Sequence, residues 1–442
     1  MKIQSRPCLR WRRCGMAAGA IALMPAVGFA QSSFAGFDPA SNVSVGDGPA
    51  AVALGFLDGD SFLDLAVLNF QQGSISVRLG LGDGSFLSMP ELFIGPNPDA
   101  IDLGDIDHDG DLDMVVAQNL NTGQNDRVII LFNNGHGGFD FAGLHSVDSS
   151  PQSIQLVDLD NDGNLDLLVG VFNGVTTLFG DDKGFFGDPK FIQAGSSFVI
   201  AKAADINMDG KADIVATSFI DQTVSVLINQ GAGRFSTPIV SSAGGSPRAL
   251  EISDVDRDGW NDLVLATSTP DSIGALFYLR GVDGMHFAEP IRLGGVNGEH
   301  TGVAPWDVVV ADFDFDHFPD VASSNQGSGD VTIFLNDQMG GFEPPQFFPV
   351  GANARDLAVG DVNNDGSQDL VVASQGANAI AVLLNLTIDP VDLSGNGVID
   401  GADLAILLSL WGTDGLSLGA DLNSDGVVDG ADLAILLTNW TS

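Results

Sequence analysis

Six segments of this chain place aspartate, or asparagine in its stead, at positions one, three, five and nine of a nine-residue window. They are Asp105, Asp107, Asp109 and Asp113; Asp158, Asp160, Asp162 and Asp166; Asp205, Asn207, Asp209 and Asp213; Asp254, Asp256, Asp258 and Asp262; Asp312, Asp314, Asp316 and Asp320; and Asp361, Asn363, Asp365 and Asp369. Glycine stands sixth in five of them and His317 in the other. Carboxylates this close repel by on the order of 4 kcal/mol per pair at an effective dielectric near 20. A hard divalent cation relieves that repulsion, because alternate acids can wrap one ion while the glycine permits a tight turn and a backbone carbonyl at position seven adds a ligand. Calcium suits the set better than magnesium, which keeps its waters, or zinc, which favours His and Cys. The plain alternative is a hairpin turn. A turn needs one Asp-Gly, whereas these windows repeat four ligands in one register.

A worn seventh copy ends at Asp64, with Phe56 in the first ligand position and Ser61 in place of glycine, and is expected to be empty. That leaves about six such sites, with neutral oxygens at Asn207 and Asn363. Two further loops lie near the C-terminus. Their positions one, three, five, nine and twelve are Asp392, Ser394, Asn396, Asp400 and Asp403, then Asp421, Asn423, Asp425, Asp429 and Asp432, with Gly397 and Gly426 at the turn. They add two more expected calcium sites.

The elements that carry these loops follow from the spacing. Successive closing aspartates are 49, 53, 47, 49, 58 and 49 residues apart. Each runs into a short apolar, β-branched stretch such as Met114-Val115-Val116-Ala117 or Leu370-Val371-Val372-Ala373, of strand length rather than helix length. A second strand, a Gly-Phe turn such as Gly138-Phe139 or Gly341-Phe342, and a third strand follow. Four short strands per unit, seven units and no helical pattern between them predict an all-β, seven-bladed β-propeller over residues 31–388. The piece that should follow Asn385 is missing, while an unpartnered one of the same kind, 34–45, stands near the N-terminus. It is expected to close the seventh blade and remove the open edge.

On these residues the chain resembles the FG-GAP repeat family, over about residues 34–388. The resemblance implies a propeller of the type in integrin α-subunit heads and many secreted bacterial proteins. After Asn385 two similar segments, each a loop running into one helix, carry Leu404, Leu407, Leu408 and Trp411, then Leu433, Leu436, Leu437 and Trp440, on one face. Such stripes are expected to bury against each other. Residues 389–442 resemble a type I dockerin, a small α-helical, EF-hand-like module, which implies a cohesin-like partner; Gly401-Ala402 and Gly430-Ala431 depart from the recognition pairs usual in cellulosomal members. The alternative is a calcium-folded tag that docks on another surface component.

The chain of 442 residues carries 58 acids and 17 bases, and five of the bases precede the apolar run of residues 16–27. Basic start, short apolar run and Gly28-Phe29-Ala30 read as an export signal over residues 1–30, with no transmembrane anchor. The remainder would hold 12 bases against 58 acids, a net of -46, and no cysteine. That charge excludes nucleic-acid binding by phosphate neutralisation. With 44 % hydrophobic residues the chain is not disordered, and without disulfides an exported fold must rely on packing and metal.

No Ser/His/Asp or metal-histidine constellation can be assembled from the six histidines, so the expected function is binding rather than catalysis. Just ahead of each inner strand stands a variable residue: Ala50, Asp99, Gln152, Val199, Arg248, Trp306 and Arg355. In a propeller these should ring the channel mouth opposite the calcium loops. Their variation fits a ligand site and equally fits drift. Asp99, Gln152, Arg248, Trp306 and Arg355 are the candidate ligand residues; Trp306 with its flanking arginines suits an acidic glycan or a peptide carboxylate. The expectation is a secreted calcium-binding recognition or adhesion module, released or surface-held, for an extracellular protein or polysaccharide. The second reading is a lectin-like or polysaccharide-degrading propeller, a lyase or hydrolase.

Overall fold

The computed structural model describes residues 34–120, 126–269, 273–294, 302–413, 419–423 and 425–440. The expected export signal, residues 1–30, lies outside them. Seven antiparallel sheets follow one another along the chain. Blade 1 holds strands Pro49–Gly55, Asp64–Asn69, Ser74–Gly80 and Phe86–Ser88, and blade 2 holds Pro98–Gly104, Asp113–Gln118, Arg127–Asn133 and Phe139–Ser146. Blades 4, 5 and 6 repeat this from Ala201–Ala204, Ser246–Ser253 and Pro305–Ala311. In blade 3 the run Asp166–Leu178 doubles back at Asn173, which has φ 71°, so that Asp166 receives the Gly180 N–H at 2.8 Å.

Blade 7 holds Ala354–Gly360, Asp369–Ser374 and Ala379–Leu383, and its outer strand is Ser41–Ser44. Ser41 pairs with Val382 and Ser44 with Ala379, and Phe37 bridges Asn385. The N-terminal segment therefore closes the ring as its unpartnered pattern requires, and covers an edge that would otherwise offer a row of free N–H and C=O groups.

The core explains why the second strand of each blade reads as an unbroken apolar run. Seven buried clusters each draw on two neighbouring blades, from blades 1 and 2 round to blades 7 and 1. Met114 and Val116 face blade 1 while Val115 and Ala117 face blade 3. Both faces of the sheet are covered, so alternation between apolar and polar residues disappears.

Beyond the propeller stand two short helices, α1 (Gly401–Ser409) and α2 (Gly430–Thr438). Leu407, Ile435 and Leu436 bury with Val391, Ile399, Leu422 and Val428. The expected mutual burial of both leucine stripes is only half realised: Leu408, Trp411, Leu437 and Trp440 are exposed. Nine-residue helices meet over too narrow a face to cover them. The tail touches the propeller where Gly397 lies against Asp365 and Gly366, so closely that a Cβ on Gly397 would stand 2.6 Å from the Asp365 carbonyl carbon. Among the described residues no helix is long and apolar enough to cross a membrane.

Candidate functional site

Each acidic loop leaves the end of an inner strand. Its second residue, Leu57, Ile106, Leu159, Ile206, Val255, Phe313 or Val362, is buried between blades and anchors it. The first carboxylate then accepts the position-six N–H: Asp105 from Gly110 at 3.2 Å, Asp158 from Gly163 at 2.9 Å, Asp205 from Gly210 at 2.7 Å, Asp254 from Gly259 at 2.9 Å, Asp312 from His317 at 2.8 Å and Asp361 from Gly366 at 2.9 Å. His317 adopts φ 71°, a conformation that glycine takes without strain, which accounts for glycine in the other copies.

The ninth residue has a second task that its spacing does not reveal. In all seven blades its two carboxylate oxygens receive separate backbone N–H groups, one from the loop's second residue and one from the end of the third strand. Asp113 takes Ile106 at 3.0 Å and Asn133 at 2.9 Å; Asp320 takes Phe313 at 2.8 Å and Asn336 at 2.7 Å. Burial pushes these carboxyls up, to about 6 at Asp64, Asp113, Asp166 and Asp262, about 7 at Asp369 and about 8 at Asp320. A cation held in the loop would offset that cost.

Carboxylate oxygens converge within 4.8 Å of one another in five loops: Asp105, Asp107 and Asp113; Asp158, Asp160 and Asp166; Asp254, Asp256 and Asp262; Asp312, Asp314 and Asp316; and Asp58, Asp60 and Asp64. The last triad belongs to the worn copy that the sequence led one to expect to be empty, and its acids gather all the same. Its position-one ligand is missing, Gly59 takes at φ 81° the left-handed conformation that the fourth residue adopts in the other loops, and Asp58, Asp60 and Asp64 converge. The loops of Asn207 and Asn363 keep the hydrogen-bond frame with an amide oxygen in place of one carboxylate. The donor set fits calcium on a further count: Asp160 Oδ1 and Asp254 Oδ1 are buried without a partner, as oxygens awaiting a cation would be.

In the tail, Asp392 accepts the Gly397 N–H at 2.7 Å and Asp421 the Gly426 N–H at 2.8 Å, the same frame as in the propeller. Asp403 and Asp432 also complete the capping boxes of α1 and α2, whose N-caps are Asp400 and Asp429. Asp403 takes the N–H groups of Ser394 at 2.8 Å and Asp400 at 2.7 Å, and Asp432 those of Asn423 at 3.1 Å and Asp429 at 2.7 Å. Among the described residues the tail acids form no convergent triad.

At the opposite ends of the inner strands, roughly 20 Å away for a seven-residue strand, the chain surrounds a cavity of about 780 Å³. Ala50, Asp99, Gln152, Arg248, Trp306 and Arg355 line it. The reason is a β-bulge: Ala50, Asp99, Arg248 and Trp306 are each the extra residue in the register with strand two, and Arg355 lies in the same irregularity of blade 7. A bulge turns its residue out of the pleat, here into the channel. Blade 4 differs, correcting the expected place of Val199. Phe198 stands where most copies have proline, the inner strand begins only at Ala201, and its pairing with strand two runs without a register shift. The parity reverses, so Phe198 lines the cavity and Val199 is buried in the core.

The Arg355 guanidinium lies 4.3 Å and that of Arg248 4.8 Å from the centre of the Trp306 ring. Arg248 also approaches Phe219 at 5.2 Å. Arg355 Nε is buried without a partner. Across the mouth Gln152 donates to Asp99 at 3.4 Å, and burial pushes the Asp99 carboxyl up to about 6 against the pull of Arg355.

Deeper polar groups, which the sequence reading did not single out, tie blade to blade. Asp102 receives Leu156 N–H at 2.7 Å, Gln155 receives Ala203 N–H at 2.7 Å, Asp307 receives Leu357 N–H at 3.2 Å, and Asp356 receives Val52 N–H at 2.7 Å. Lys202 pairs with Glu251. Asp307 and Asp356 share a hydrogen bond, and burial raises both carboxyls, Asp356 well above the usual range. The available signal was a lone polar residue inside an otherwise apolar inner strand.

Comparison with solved structures finds chains of similar fold at low identity. An Agrocybe aegerita lectin, described as recognising non-reducing terminal N-acetylglucosamine, superimposes with TM-score 0.51 at 18 % identity, covering 77 % of this chain and 86 % of that one. BBS1N, solved in complex with ARL6DN, gives 0.54 at 11 %, covering 80 % and 98 %. A putative 6-phosphogluconolactonase from Bacteroides uniformis gives 0.52 at 15 %, covering 78 % and 97 %. At such identities the likeness is one of fold. No curated protein matches the sequence. The FG-GAP-like repeat model matches residues 57–116, 105–169, 205–265, 254–323 and 312–372. These overlapping matches cover more than half of the sequence, and the chain belongs to the FG-GAP-like repeat family.

Proposed function

We propose that this protein is an exported, calcium-stabilised recognition module that holds an acidic group of an extracellular ligand at the channel mouth. One observation carries the reading. In a chain whose acids outnumber its bases 58 to 17, Arg248 and Arg355 stand half-buried in one cavity, and among the described residues neither has a carboxylate at ion-pair distance. Trp306 splints both guanidiniums, which lowers the entropy lost when they grip an anion. A carboxylate on a glycan or a peptide fits that fork, and the calcium loops hold the blades that position it.

The tail supplies attachment in this reading, through a cohesin-like partner or another surface component, with Leu408, Trp411, Leu437 and Trp440 as the apolar surface on offer. A polysaccharide-cleaving role draws its support from the hydrogen-bonded pair Asp307 and Asp356 in the same cavity, since two carboxyls sharing a proton are a common acid-base device.

The test is binding of the purified protein to acidic and neutral glycans and to acidic peptides in millimolar calcium, alongside Trp306→Ala and a form lacking residues 389–442. Binding to acidic ligands that survives the truncation and is lost in Trp306→Ala is expected. Binding untouched by Trp306→Ala would remove the channel from consideration, and chain shortening of a bound polysaccharide would favour the cleaving role.

A further inference from the structure

Loop 254–262 already holds a cation of its own. Arg280, the residue after strand Ala275–Leu279, directs Nε to Asp256 Oδ2 at 2.5 Å and Nη2 to Asp258 Oδ2 at 2.6 Å. These acids are the third and fifth positions of the fifth acidic loop. The corresponding residue in the other six blades is apolar: Leu79, Phe132, Phe179, Ile228, Leu335 and Leu384. An arginine there is thus a departure confined to blade 5, and its side chain reaches the two positions that a calcium ion would otherwise bridge.

The ninth position of the same loop is also unusually well satisfied. Besides the N–H groups of Val255 at 3.0 Å and Gly281 at 2.7 Å, Asp262 receives the hydroxyl of Tyr278 at 2.9 Å. Tyr278 is the one tyrosine of the chain. At the first position Asp254 Oδ2 accepts from Gly259, while Oδ1 remains buried without a partner. Lys211 in the preceding blade makes a lesser contact, touching only Asp209, at 2.9 Å.

We infer that Arg280 is a built-in counter-cation that holds loop 254–262 in place of calcium, so that blade 5 keeps its loop folded when calcium is removed. The guanidinium and a divalent ion compete for the same two carboxylates. Because Arg280 is more than half exposed, at 53 %, the competition weakens calcium binding at this loop by about ten-fold rather than abolishing it. The free Oδ1 of Asp254 then becomes a ligand once the arginine is gone.

The test is amide hydrogen exchange of the purified protein in calcium and in chelator, with calcium stoichiometry by native mass spectrometry at a calcium concentration that fills the other loops. In the unmodified protein, loops 105–113, 158–166 and 312–320 should lose protection on chelation while loop 254–262 does not. Arg280→Gln should bind one further ion, make loop 254–262 respond to chelation, and lose that ion again when Asp254→Asn is added. Arg280→Lys, which keeps the charge, should bind no further ion. Exchange in the other blades reports whether each variant is folded. An unmodified loop 254–262 that loses protection on chelation as its neighbours do, or an Arg280→Gln protein that gains no ion, would overturn the inference.

Discussion

Asp160→Ala should change the stability of this protein in opposite directions with and without calcium. Asp160 stands third in the loop of blade 3, its Oδ1 is buried without a partner, and burial followed by the nearby charges of Asp162 and Asp158 raises its carboxyl. Without a cation the side chain is a liability. Two repulsions of on the order of 4 kcal/mol each at an effective dielectric of 20 shrink, in a loop this open to solvent and salt, to a net relief of about 1 kcal/mol on its removal. With calcium the balance inverts. A site of roughly 0.1 mM affinity in 1 mM calcium contributes about 1.4 kcal/mol, and the alanine variant forfeits most of it. Urea unfolding of both proteins, followed by tryptophan fluorescence in 1 mM calcium and in chelator, reads the difference directly. At a slope of about 3 kcal/mol/M the variant's midpoint should rise by ~0.3 M in chelator and, because the same relief offsets about 1 of the 1.4 kcal/mol lost, fall by ~0.1 M in calcium. Midpoints that move the same way in both buffers would refute the claim that these acids are arranged around an ion.

Other consequences are equally direct. Asn229 donates to the carbonyls of Leu159 at 2.7 Å and Ala212 at 2.9 Å and accepts from Gly231 at 2.9 Å, stitching blade 4 to blade 3; Asn229→Ala should destabilise by about 3 kcal/mol in denaturant titration, and a loss under 1 kcal/mol would argue against the stitch. Asp307 and Asp356 have raised carboxyls in the folded chain, so the stability they provide is complete below the unfolded carboxylate pKa near 4 and is lost as pH rises through the folded values. Asp356→Asn should flatten that decline when stability is measured from pH 4 to 9 in calcium, and an unchanged slope would contradict the shared proton. Removing residues 34–45 should expose the edge of Ala379–Leu383, with self-association visible by light scattering; a monodisperse product would show that the closing strand is dispensable.

Much of this could be read from the chain. The closing strand was legible because a repeat left one piece short at Asn385 and one spare near Phe37, and a periodic array has only one way to reconcile the two. The channel residues Asp99, Arg248, Trp306 and Arg355 were legible through register alone, since each sits at the same offset before its loop. Val199 failed because the offset argument presumes a bulge, whereas in blade 4 Thr217 N–H donates to Ile200 and Phe219 N–H to Phe198 in regular succession; one residue of slip exchanges core for channel. The leucine stripes of the tail failed similarly, because helical periodicity names a face without stating how much of it a nine-residue partner can cover.

The sequence by itself determined the repeat, its blade count, the order of its strands and the composition of its acidic loops, because each of these is a local pattern copied along one chain. Tertiary structure alone decided which polar groups serve a neighbour rather than a ligand. Asp113 and its equivalents bind two N–H groups as well as closing the acidic loop, Asp356 belongs to the seam with Val52, and Arg280 reaches acids some twenty residues earlier. The physical reason is that a charged side chain takes its role from whatever opposite charge or N–H stands within about 3 Å, and those partners come from other strands and other blades.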